Sequence, residues 1–165
     1  MIEGLVVEAV KEVSDQRGVV RELFRASALP GLRPWKQVNV TETVQGAVRG
    51  MHGEEMTKLV GVACGSVFGA WVDLRPTSPT FGEVVTADLG PGVHVLVPPG
   101  VGNGFQATAP GVTQYVYCFD EEWVPNMPGV ACTPLDPELA IPWPLPITHI
   151  SDKDRDAPTL ASLRP

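Results

Sequence analysis

His52, His94 and His149 are the three histidines of the chain, and imidazole is the side chain whose unperturbed pKa lies near neutral pH. None of the three shares a strand-like run with another or stands at i, i+2 or i+4 spacing, whereas a metal site needs three or four converging N, O or S ligands. The expectation is that no metal is bound. Glu54 and Glu55 follow His52 closely, but two carboxylates in a loop read as solvated. Cys118 lies in an apolar run and Ser66 in a turn, and neither has a nucleophile signature around it. Proton transfer remains. His52 ends a strand-like run in AVRGMHGEEMTKLV, with Arg49 and Lys58 close by, and is placed to act as a general base. A base needs a carboxylate to orient it, and a two-step transfer needs a separate acid. Tyr117 in QYVYC and Asp154 in SDKDRD have suitable chemistry, yet periodicity brings neither to His52. Read singly, Tyr117 is a barrel residue and Asp154 a surface charge.

The scaffold for such groups is legible in the punctuation. A chain of 165 residues with 17 Gly and 17 Pro argues for one domain of many short strands and against long helices. Strands are predicted over 5–10, 19–23, 35–41, 47–52, 58–64, 66–74, 84–89, 94–97, 105–107 and 113–119. Turns are expected at 14–18 and 53–57 and at the GPG, PPG and APG triplets, and a proline-bearing loop over 24–34. The run over 35–41 places Trp35, Gln37, Asn39 and Thr41 on one face, a polar face that suits a cavity wall. After Asp120 the chain reads as proline-studded loop, with a short helix over 158–163. Ten short strands at this spacing predict an antiparallel all-β barrel.

The charge of −7 disfavours a nucleic-acid backbone as partner, while a small anionic ligand needs only a few placed cations. No apolar run approaches the roughly 20 residues of a membrane-spanning helix. The acidic stretch over 1–13 is unlike a signal peptide, so a cytoplasmic location is expected and no membrane partner. Three scattered cysteines form neither a disulfide framework nor a zinc pattern.

Taken in order, several segments resemble the dTDP-4-dehydrorhamnose 3,5-epimerase family, in the RmlC-like group of the cupin superfamily. They are DQRGVVREL (15–23), QVNVT (37–41), VRGMH (48–52), KLV (58–60), GSVFGAWVDLRPTSPTFGE (65–83), VPPGVGNGF (97–105), QYVYC (114–118), LDPELAIPWP (135–144) and ISDKDRDAPTL (150–160). The resemblance implies a cupin-type jelly-roll barrel of antiparallel strands with short C-terminal helical segments, spanning the chain. It implies a homodimer and no cofactor. It also implies epimerisation at C3, C5 or both of a dTDP-linked 4-keto-6-deoxy sugar through an enolate. By the same resemblance His52 is the base, Asp154 its partner and Tyr117 the acid. Lys58 lies near the sugar, Arg49 holds diphosphate or sugar, and Arg17 and Glu22 contact the nucleotide. Gln37 and Asn39 line the pocket wall, and Trp123 stacks on thymine.

Two departures bear on specificity. Asn103 stands in GVGNGF where the family usually has a histidine, and a neutral amide makes a weaker phosphate contact than a cation. Gly53 replaces an aromatic residue, and the segment from His52 to Lys58 is short, which implies a wider or reshaped pocket. Two alternatives stand beside epimerisation. One is a 3,4-ketoisomerase, a related barrel with a pair of nearby histidines where this chain offers His52 alone. The other is a sugar-nucleotide binding protein without catalysis.

Overall fold

The computed structural model describes residues 1–29 and 31–164; Pro30, within the predicted loop over 24–34, lies outside the described residues. Two five-stranded sheets carry the fold. The first runs β1 (Val6–Ala9), β9 (Val93–Val97), β6 (Lys58–Cys64), β11 (Val112–Phe119), β4 (Gln37–Val44). The second runs β12 (Gly129–Ala131), β5 (Val48–Glu54), β10 (Val101–Ala107), β7 (Val67–Asp73), β8 (Val84–Leu89). Every pairing is antiparallel. A hairpin of β2 (Lys11–Asp15) and β3 (Gly18–Glu22) stands apart as a two-stranded sheet. This is the all-β jelly roll that the resemblance implied.

Alternation along the strands explains the two cores. On β7, Val67 and Trp71 point between the sheets, where they meet Phe105, Tyr115, Val60 and Val95. Ala70 and Val72, one residue out of phase, point to the outer face of the second sheet. That face is covered by the C-terminal segment through Cys132, Leu139 and Leu160. Lacking long strands, the segment is tied by side chains. The buried Gln106 amide donates to Leu145 O at 2.9 Å and its Oε1 accepts from Leu145 N at 3.0 Å. Trp143 Nε1 donates to Pro134 O at 3.0 Å.

Asp73 closes β7 and is 0% exposed. Its carboxylate accepts from Arg75 Nη2, Ser78 Oγ and Thr80 Oγ1, each at 2.6 Å, which folds the RPTSPT turn around one buried charge. Burial would raise its pKa, but these three partners hold it far below the usual carboxylate range.

The structure differs from the sequence-based expectation at the weakly patterned elements. Twelve strands appear among the described residues, ten in the two five-stranded sheets and two in the separate hairpin. The turn expected over 14–18 is narrower, because residues 14 and 15 belong to β2, a strand exposed along its whole length and defined by its hairpin partner. β10 begins at Val101, earlier than the expected 105, since β7 pairs with it from Val101 and β5 from Asn103. The segment read as loop contains β12, held by pairing with β5, and the helical turn α1 (Asp152–Arg155). The helix expected over 158–163 is a 3-10 turn at Leu160–Leu163.

Candidate active site

β5 and β10 are neighbours, and their register sets His52 opposite Asn103. β11 belongs to the other sheet, where Tyr117 pairs with Asn39 of β4 and Val60 of β6. His52 and Tyr117 therefore reach from opposite sheets into the same space, and both line two adjoining cavities of about 530 and 340 Å³.

Asp154 reaches His52 from 102 residues further along the chain, with Oδ1 2.8 Å from Nε2. An ionised carboxylate only accepts, so Nε2 carries the hydrogen and Nδ1 is left as the basic nitrogen. The other oxygen, Oδ2, accepts from Gly50 N at 3.2 Å. Asp154 is 5% exposed. Burial works against its charge, but the bonds from His52, Gly50 and Ser151 outweigh it and hold the carboxyl below its ordinary range. Ser151 caps α1 by accepting from Asp154 N at 3.1 Å, which aims the carboxylate inward. Gly50 has φ +118, and a Cβ there would meet Gly104 Cα at 2.5 Å, so the approach of β5 to β10 beside His52 requires glycine.

Tyr117 sits in an aromatic row on β11, 4.9 Å from Tyr115 and 5.8 Å from Phe119 between ring centres. Burial, more than the nearby charges, pushes its phenol well above the normal tyrosine range, so it is protonated at neutral pH. Asn103 is buried and its amide orientation is decided by its partners. Trp71 Nε1 can only donate, and it does so to Asn103 Oδ1 at 2.8 Å, with Tyr115 OH at 3.4 Å. The NH₂ group is thus the end left for the cavity that Asn103 lines.

Arg49 lines both cavities and is steadied by Thr43, whose Oγ1 accepts from Nε at 3.1 Å. Lys58 is 3% exposed, with its ammonium on His52 O at 2.8 Å and on the Glu54 carboxylate. Asn39 and Trp123 complete the smaller cavity. Gln37 stands one step behind, accepting from Trp123 N at 2.8 Å and donating to Asn39 Oδ1 at 3.0 Å. Arg17 and Glu22 are not brought to these cavities in the same chain. They lie at the β2–β3 hairpin, where Arg17 pairs with Asp15 at 2.5 Å and Glu22 with Arg25.

Three residues were not assigned to the site from the sequence. Glu54 is the last residue of β5, half-buried against Lys58, where a solvated loop was expected. Lys153 lines three contiguous cavities around His52. Ser151 and Asp154 form the S-x-x-D spacing of a capping box, a signal that marks Asp154 as the third residue of a helical turn. Gly53 also acts differently from expectation. It points away from His52, and a Cβ there would lie 3.0 Å from Gly100 C and O. The space it borders is a separate outer groove of about 410 Å³ shared with Gly100, Pro99 and Leu163. Gly53 therefore does not widen the cavity at His52.

A family model described as dTDP-4-dehydrorhamnose 3,5-epimerase matches residues 1–162. This chain belongs to that family. It is 34% identical over 176 residues to the protein RmlC homolog of Streptococcus pyogenes serotype M6, covering 99% of this chain and 88% of that one. It is 35% identical over 172 residues to a dTDP-4-dehydro-6-deoxyglucose 3-epimerase of a Streptomyces species, covering 98% and 87%. Among solved structures, RmlC from Streptococcus suis in complex with dTDP-D-xylose superposes with a TM-score of 0.89 at 29% identity, covering 99% of this chain and 90% of that one.

Proposed function

We propose that this protein is a sugar-nucleotide epimerase that inverts C3, or C3 and C5, of a dTDP-4-keto-6-deoxyhexose. The observation that carries the reading is the pairing across one cavity of His52, held by Asp154, with Tyr117 from the opposite sheet. The C4 ketone acidifies the C–H bonds on either side of it. Nδ1 of His52 takes the proton, and the electron pair moves into an enolate whose charge rests on the C4 oxygen. Lys58 and the Asn103 amide are the donors for that oxygen. The Tyr117 phenol returns a proton from the opposite face, which inverts the centre. The imidazolium and tyrosinate so formed are reset by exchange with solvent. Asp154 keeps the reactive tautomer and stabilises the imidazolium.

Arg49 and Lys153 are the cations for the diphosphate, and Trp123 is the platform for the thymine. A homodimer and a cytoplasmic location belong to the same reading. The dimer is supported by an apolar strip on the outer face of the first sheet, where Val38 and Val40 are 60% and 58% exposed beside Val44 and Val112. Arg17 and Glu22 then act across that assembly, since neither lines the cavities of its own chain.

The test is incubation with dTDP-4-keto-6-deoxyglucose in deuterated water, followed by proton NMR at C3 and C5. Deuterium at C3 alone identifies a 3-epimerase and deuterium at both positions a 3,5-epimerase. Label at neither position overturns the proposal. A 3-keto product would instead identify a ketoisomerase, and dTDP binding by calorimetry without turnover would identify a binding protein.

A further inference from the structure

Lys58 opens β6 with its side chain turned into the cavity, and nearly all of it is out of water. Its ammonium has two acceptors, the His52 carbonyl at 2.8 Å and the carboxylate of Glu54. Glu54 follows His52 by two residues on β5, so both side chains leave the same face of the strand and line the same cavity. An ammonium buried in this way, with no counter-charge, gives up its proton more readily than one in water. Burial does pull the Lys58 amine below the ordinary lysine range, and the charge and hydrogen bond of Glu54 pull it back.

The other groups facing this cavity do not help to hold that proton. β5 contributes Arg49 and His52, and α1 contributes Lys153, all of them cationic or able to become so. The carboxylate of Asp154 is committed to His52 and Gly50. β11 presents Tyr117 as a neutral phenol, and β4 and β10 present the amides of Asn39 and Asn103. At the other end of the β5–β6 turn, Asp120 accepts from Thr57 N at 2.9 Å and pairs with Arg33. Among the described residues, Glu54 is the carboxylate in contact with the Lys58 ammonium.

We infer that Glu54 is a positioning residue that keeps Lys58 protonated, so that a fixed positive charge faces the C4 oxygen while the enolate forms. This rests on the epimerase reading for the identity of the oxygen, but the claim about Lys58 can be tested without it. Glu54 also sets the strength of that charge, because an ammonium shared with a carboxylate holds an oxyanion less tightly than a free one.

The experiment follows the ¹³Cε resonance of Lys58 against pH in the full-length protein, assigned by its loss in Lys58→Arg. In the wild type the amine must be protonated at neutral pH. In Glu54→Gln it is expected to titrate roughly 1–3 pH units lower, and Glu54→Asp is expected to restore most of the difference. The alkaline limb of kcat/KM for deuterium wash-in should move to lower pH by the same amount, which a merely structural contact would not produce. A wild-type Lys58 that is already neutral at neutral pH overturns the inference without any variant, as does an unchanged titration in Glu54→Gln. Absence of wash-in by the wild type would overturn the epimerase reading and leave the titration result standing by itself.

Discussion

At the scale of single residues, the arrangement turns on which nitrogen of His52 carries the hydrogen. Asp154 fixes that choice through the 2.8 Å contact with Nε2. An asparagine there would offer either an oxygen or an NH₂ group, and it would remove the negative charge that stabilises an imidazolium. Asp154→Asn is therefore expected to lower kcat by roughly 10²- to 10⁴-fold while dTDP affinity is retained. Steady-state kinetics and calorimetry on the same preparation check both halves, and an unchanged kcat removes Asp154 from the mechanism. The types of these residues were readable from pattern and spacing, but their meeting was implied by the family resemblance alone. Periodicity assigns faces within a strand and has nothing to say about a contact over 102 residues. The same blindness made Glu54 look solvated, because its partner Lys58 lies beyond a turn that carries β5 of one sheet into β6 of the other.

At the scale of elements, the strands bounded by clear turn signals were legible, and β6 and β8 lie where the pattern put them, at Lys58–Cys64 and Val84–Leu89. β12 and α1 were not, since three residues of strand and four of helix carry too little pattern and exist through pairing and capping. The turn after β7 makes the clearest stability prediction. Asp73 is wholly buried and gathers Arg75, Ser78 and Thr80, so Asp73→Asn replaces their shared charged acceptor with a neutral amide and leaves the partly exposed Arg75 guanidinium without its counter-charge. The expected loss is about 1.5–3 kcal/mol in urea denaturation. Because the folded-state pKa of Asp73 is depressed, its contribution is complete above the ordinary carboxylate pKa and is lost as pH falls through the folded value. The destabilisation by Asp73→Asn should accordingly be largest at neutral pH and shrink in acid. A difference that stays constant from neutral to strongly acidic pH would count against this account of the turn.

At the scale of the whole molecule, β4 forms one margin of the first sheet with its polar residues toward the cavity and its valines toward solvent. The polar face over 35–41 was visible in the sequence, and the exposed valines are its necessary complement on a two-faced strand. If a second copy covers them, Val40→Asp should yield a monomer by light scattering with little change in unfolding midpoint, since the side chain it replaces is already exposed in the single chain. A dimer that persists in Val40→Asp would place the interface elsewhere. The C-terminal segment adds a different consequence. It wraps the second sheet from outside, anchored by Leu139 and Leu160, and between those anchors it delivers Asp154 to a histidine laid down in the first third of the chain. During synthesis, therefore, His52 and Tyr117 leave the ribosome before the group that orients the imidazole. The order of translation keeps the nascent protein without its paired base until the segment that carries Asp154 has been made.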